Sequence, residues 1–171
     1  MHCNRTTEFR FASFIINGDK TIEFAINAES MLEATSICSE IQPLPTGMEH
    51  LEGFMHLRDD TIPIINMKKR LGLPQTEYDA GAKVAVVRWA DQRFGLLFDD
   101  IKDVLLVAEN SIHSVHPTLL TEESLISQMI KLDGGQRTLQ LLDLNRILNI
   151  RDTTGESRTG GGKRTDRKSV V

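Results

Sequence analysis

The chain has 171 residues, 40% of them hydrophobic but only 5% aromatic, enough for one domain with a largely aliphatic core. Its net charge of −4 is uneven: residues 151–171 hold six Lys/Arg against three Asp/Glu, leaving residues 1–150 near −7, an acidic body that argues against non-specific nucleic-acid binding. No apolar run is long enough to span a membrane, and Cys3 and Cys38 have no paired spacing, so a cytoplasmic chain with two inert thiols is expected.

The first apolar stretch, residues 9–16, is broken by Arg10 and Ser13. Without a basic leader or a small-residue cleavage site it reads as a strand, not a signal peptide. Residues 11–16 and 21–26 flank Asn17-Gly18, residue types that suit the positive φ of a hairpin turn. Ile22, Phe24 and Ile26 alternate with Thr21, Glu23 and Ala25, the period of a strand with one buried face. Residues 29–34 are ambiguous, a strand is expected through Ile41, and Pro43 and Pro45 mark a loop. From Gly53 to Gly72 the pattern is strand, tight turn, strand and short helix. Arg58 stands just before that turn, and Pro63 opens an aliphatic strand where a missing N–H is tolerated.

The second half continues in the same manner. Residues 83–89 and 94–98 are apolar runs joined by residues 90–93, a second hairpin, and residues 101–107 form a further strand. Residues 129–132 and 138–142 flank Asp133-Gly134-Gly135, a third hairpin turn. Residues 143–150 read as a short helix with Asp143 as N-cap and Leu144, Ile147 and Leu148 on one face. Many short strands with few helices predict an all-β barrel or sandwich, a choice that pattern alone leaves open. From Arg151 onward Thr, Gly, Ser and charge dominate, so residues 151–171 are expected to be a disordered basic tail.

The segment around Arg58 resembles the signature of the CheW-like family, coupling adaptors of bacterial chemotaxis, whose pattern is roughly G-x-x-N-L-R-G-x-x-x-P-[VI]-[VI]-[DN]-L. Gly53, Leu57, Arg58, Pro63, Ile64, Ile65 and Asn66 match, while His56, Asp59 and Met67 replace the usual Asn, Gly and Leu. The run from Gly95 to Asp99, with Ile101 and Val104, and Leu142-Asp143-Leu144 near the end extend the resemblance over roughly residues 8–150. It implies two small five-stranded barrels packed together, about residues 28–82 and 83–138, with the N-terminal hairpin completing the second. Half-domains of that size are marginal alone, so a shared apolar interface is expected.

The resemblance also implies a role. The family's members couple the cytoplasmic tip of chemoreceptors to the regulatory domain of a CheA-type histidine kinase, in arrays at the membrane, without catalysis. By aligned position Ile26, Met31, Ala34 and Ile101 would line an apolar groove for the receptor's helical hairpin; for Ile26 its parity with Ile22 and Phe24 points equally to the core. The resemblance implies a Glu33–Arg58 bridge as well. Its alternatives are a buried pair, since Arg58 lies in an apolar strand pair, or two unrelated surface charges. Gly53, Asp59 and Pro63 mark the signature turn, where Asp59 tolerates left-handed backbone better than most residues but adds charge beside Arg58.

Other chemistry is poorly supported. His113 and His116 stand three apart, and His50 and His56 flank the signature, but no third ligand is spaced for a metal. Asp99-Asp100 closes an apolar strand and needs no acid–base reading. No nucleophile motif or phosphate loop appears, Gly160–Gly162 lacking the strand and helix such a loop needs. We therefore expect no enzyme activity, cofactor or metal, no nucleic-acid partner and no membrane insertion. Alternatives are the same domain serving another signalling array, an adaptor piece of a receiver-containing protein or, more remotely, a small-barrel nucleic-acid binder.

Overall fold

Period-two alternation, broken by turn residues, commits most of the chain to strands. The computed structural model describes residues 7–37, 40–43, 45, 49–116, 118 and 124–149; Cys3, Cys38 and the expected tail lie outside them. In chain order the elements are β1 (Glu8–Ile16), β2 (Ile22–Asn27), β3 (Met31–Ser36), β4 (Leu51–Leu57), β5 (Asp60–Asn66), α1 (Met67–Arg70), β6 (Lys83–Trp89), β7 (Gln92–Phe98), β8 (Asp100–Ala108), β9 (Ile112–Ser114), β10 (Ile126–Leu132), β11 (Arg137–Leu142) and α2 (Leu144–Leu148). The ambiguous stretch resolves into a 3-10 turn over Ala28–Ser30 followed by β3.

The strands form two sheets, ordered β8-β1-β2-β11-β10-β9 and β3-β6-β7-β5-β4. Neighbours are antiparallel except β2 with β11 and β5 with β7. The all-β expectation holds, but among the described residues no backbone ladder joins the end strands of either sheet. The expected division at residue 82 also differs from the sheet boundaries. Ile64, Ile65 and Asn66 of β5 pair in parallel with Gly95, Leu96 and Leu97 of β7, which draws the β6–β7 hairpin into the sheet of β3–β5. The chain passes to the other sheet only at β8.

Turns account for two further differences. Ala90 and Asp91 have φ of 51° and 61°, the double positive φ of a type I′ turn, so β6 and β7 meet through two residues. Between β1 and β2 the link is longer, and Gly18 does not take a positive φ. There the Asn17 N–H donates to Asp99 Oδ2 at 2.6 Å, which ties the loop to the end of β7 rather than closing a two-residue hairpin.

The core has three parts. Within the five-stranded sheet Met55, Ile62, Ile64, Val84 and Val86 pack together; within the six-stranded sheet Phe11, Val107, Ile130 and Leu139 do. Between the sheets lies a shared core to which both contribute, with Phe14 of β1 stacked on Phe98 of β7 at 4.5 Å. Val84 and Val86 face one core while Ala85 and Val87 face the other, which explains the unbroken apolar run of β6.

The helices fasten the sheets to each other. Arg70 of α1 donates to the carbonyls of Arg146 and Ile147 at 2.7 and 3.0 Å, supplying donors to carbonyls that the short α2 leaves open. The Asp143 side chain caps the other end of α2 by accepting from the Asn145 N–H, as expected. Lys68 is buried. Its ammonium donates to Asp99 Oδ1 at 3.1 Å and to the Glu77 carbonyl at 2.7 Å, and lies 4.1 Å from the centre of the Tyr78 ring.

Candidate partner-docking surface

Two edge strands, β3 and β8, border the shared core, and each carries a bulge. In β3, Met31 pairs with Val87 but Glu33 with Val86, so Leu32 is the extra residue. The bulge resets the alternation and places Met31 and Ala34, three apart, on the face of Val87 and Ala85. In β8, Ile101 pairs with Phe14 and Val104 with Ala12, three residues against two. The Asp103 N–H donates to Ser13 Oγ at 3.1 Å inside that bulge. Ile101 and Val104 thereby share the face of Phe14 and Ala12, both members of the shared core.

Met31 and Ile101 pack half-buried against that core, and Ala34 is exposed. Ile26, the fourth residue aligned to the groove, does not belong to an accessible surface: it is fully buried behind Ala12, because its parity with Phe24 directs it into the shared core. Val104, which is not in the aligned set, is 59% exposed on the same face as Ile101. Alternation counted from Ile101 puts Val104 on the opposite face, so only the bulge reveals it.

Glu33 faces the other way, with Val86, and meets Arg58. Arg58 Nη2 donates to Glu33 Oε1 at 3.1 Å and Nη1 to Oε2 at 2.5 Å, a bidentate pair. The pair is not buried: the Arg58 side chain is 69% exposed, since it projects from the β4–β5 turn beyond the core. The Arg58 guanidinium holds the Glu33 carboxyl below the usual carboxylate range, with a smaller contribution from Arg93.

The signature turn also differs in detail. Its left-handed residue is Arg58, with φ of 54°, and not Asp59. Asp59 is exposed, while Asp60 pairs with Arg93. Gly53 lies inside β4 rather than in the turn, at a bulge, with φ of 145°. A Cβ there would stand 1.9 Å from the Gln42 carbonyl oxygen, and Gln42 and Phe54 exchange two backbone hydrogen bonds across that approach. Pro63 sits within β5 opposite Phe54, one residue before β7 begins to pair, where no donor is required on that side.

A cleft of about 560 Å³ opens elsewhere, lined by Phe9, Arg88, Trp89, Gln128, Asp143 and Asn145 among others. Asn145 Oδ1 accepts from Trp89 Nε1 at 2.7 Å, and Ser30, Glu109 and Ser127 also line the cleft. Asp99 accepts from Lys68 Nζ on one oxygen and from the Asn17 N–H on the other. Among the described residues no three His, Cys, Asp or Glu side chains are grouped to hold a metal, and no helix is long and apolar enough to cross a membrane.

Comparison with known proteins agrees with this architecture. The family model of the CheW-like domain matches residues 10–152. A chemotaxis protein CheW of Bacillus subtilis is 29% identical over 79% of this chain and 90% of its own length. One from Thermotoga maritima is 29% identical over 82% of this chain and 88% of its own. The crystal structure of the scaffolding protein TtCheW from Thermoanaerobacter tengcongensis superposes with a TM-score of 0.74 at 21% identity, covering 84% of this chain and 94% of that one.

Proposed function

The chain belongs to the CheW-like domain family, and on that premise we propose that it is a non-catalytic chemotaxis adaptor, coupling the cytoplasmic tips of chemoreceptors to the regulatory domain of a CheA-type histidine kinase. The observation that carries this reading is the pair of bulges in β3 and β8. One brings Met31 and Ala34 to a common face of β3 and the other brings Ile101 and Val104 to a common face of β8, and each face borders the shared core, which supports a seat for the apolar side chains of a helical hairpin. Met suits such a contact because its side chain adapts to the partner.

The mechanism is scaffolding. An adaptor that grips receptor and kinase in fixed relative geometry transmits a receptor movement as a bias in kinase activity, with no bond made or broken. The fastenings between the two sheets, Phe14 on Phe98 and Arg70 on the end of α2, support this by making the domain stiff. The proposed location is the cytoplasm, beside membrane-embedded receptor arrays.

Titration calorimetry against a soluble receptor-tip hairpin and, separately, a kinase regulatory domain tests the proposal. Saturable one-to-one binding to both is expected, with Ile101→Glu and Met31→Glu weakening the receptor tip by about tenfold or more while sparing the kinase domain. Unchanged receptor binding in both variants would overturn the groove assignment. No binding to either partner would overturn the adaptor reading.

A further inference from the structure

We propose that the docking surface continues along β8 beyond Val104 to Leu106 and Arg10, and that this end receives the acidic flank of an amphipathic partner helix. The inference rests on the adaptor reading above and extends its surface to residues outside the family pattern.

Leu106 is 62% exposed and pairs across the ladder with Arg10, two residues along from the Val104–Ala12 pair. Cross-strand partners share a face, so Ile101, Val104, Leu106 and Arg10 lie on one continuous side of the β1–β8 edge. Because the bulge sets five steps of β8 against four of β1, the face from Ile101 to Leu106 runs about 13 Å, roughly two and a half turns of a helix. Val104 and Leu106 are the two most exposed large apolar side chains among the described residues, and they stand two positions apart on this one face.

The edge itself argues for a helix over an added strand. The bulge at Lys102–Asp103 interrupts the ladder, and Asp100, Lys102 and Asp103 place charges along it, devices that discourage strand pairing. An occupant must therefore use the side-chain face. Arg10 is exposed on that face beside Leu106, and among the described residues no carboxylate pairs with it, Glu8 two positions along included. A helix covering Leu106 would desolvate the guanidinium, so it must bring a carboxylate next to its apolar stripe.

The test is calorimetric binding of a soluble receptor-tip hairpin to the whole chain and to Leu106→Ser, Arg10→Glu and Ile101→Glu, each first checked for an unchanged circular dichroism spectrum. Leu106→Ser and Arg10→Glu are expected to weaken binding by about tenfold each. The Arg10→Glu loss should shrink in 0.5 M salt, and a Glu→Lys or Asp→Lys change on the helix should restore it. Binding lost in Ile101→Glu but unchanged in the other two would overturn the extension and leave the adaptor reading standing. Wild-type binding by all three variants would overturn the extension together with the groove assignment, and no binding by the wild type would overturn the extension and the receptor half of the adaptor reading.

Discussion

Arg58 and Glu33 join the two ends of the five-stranded sheet. Glu33 lies on β3, the first strand of the order β3-β6-β7-β5-β4, and Arg58 sits in the turn that leads out of β4, the last, into β5. The sheet curls far enough for a side-chain bridge to span the gap that no backbone ladder closes. The packed interior of Met55, Ile62, Val84 and Val86 supplies the force for that curl, and the ion pair sets where its open ends meet.

Because the pair is exposed, its removal should lower stability little, and the left-handed φ of Arg58 gives a way to isolate that effect. Arg58→Gly and Arg58→Ala both delete the guanidinium, but only glycine takes φ of 54° without steric cost. Thermal melts should find the glycine variant more stable than the alanine variant by about 1 kcal/mol. Equal midpoints would show that the turn relaxes freely.

Gly53 should be the most sensitive position in the signature. With a Cβ placed 1.9 Å from the Gln42 oxygen, Gly53→Ala must break the Gln42–Phe54 bridge or shift β4, at a cost of about 3 kcal/mol or more. Gly135→Ala is the control: its φ of 93° is strained for alanine, but nothing lies within 4 Å, so about 1 kcal/mol is expected. Urea midpoints that rank the two variants in the reverse order would refute the close-approach argument.

The Lys68–Asp99 pair, with side chains only 5% and 10% exposed, should behave quite differently from Arg58–Glu33. Asp99→Asn leaves the ammonium without its counter-charge and should cost about 3–5 kcal/mol. Asp99→Asn combined with Lys68→Met should cost less than the sum of the single changes, because the orphaned charge is gone. Additive denaturation energies would mean that the two groups are not coupled.

Stability should fall in two stages on acidification. Burial, with Arg70 and Lys69 nearby, holds the His50 imidazole below its ordinary value, and its Nδ1 is buried without a hydrogen-bond partner. The unfolded chain therefore takes up that proton first: the His50 contribution is complete above about pH 6.5 and is lost as pH falls through the lowered folded value. Glu23 and Glu52 follow. Burial pushes both carboxyls up, but Arg137 and Lys102 around Glu23, and Asn66 and Lys69 around Glu52, outweigh it and hold both below the usual range. Their contribution is present above about pH 4.5 and lost as pH falls through the lowered values. Melts of His50→Leu across this range should lack the upper stage alone; a variant that keeps it would assign that stage elsewhere.

The sequence alone carried a good deal. Period-two runs located most strands, Asp143 announced the α2 cap, and the segment from Gly53 to Asn66 pointed to the family. These signals are legible because each depends on residues close in the chain: a cap, a turn and an alternating face are all settled within a few positions.

What only the tertiary structure decided is the assignment of faces and sheets. A bulge is a mismatch between two strands, so the extra residue at Leu32, or in β8 near Lys102, leaves no mark in its own strand's sequence. That mismatch turns Met31 and Ala34, and likewise Ile101 and Val104, to a common side. The same limit hid the parallel pairing of β5 with β7, which moved the division between sheets, and the exposure of Arg58, which an apolar neighbourhood in sequence had disguised. Local chemistry determines which residues alternate; the phase of that alternation, and what it faces, is set by partner strands far away in the chain.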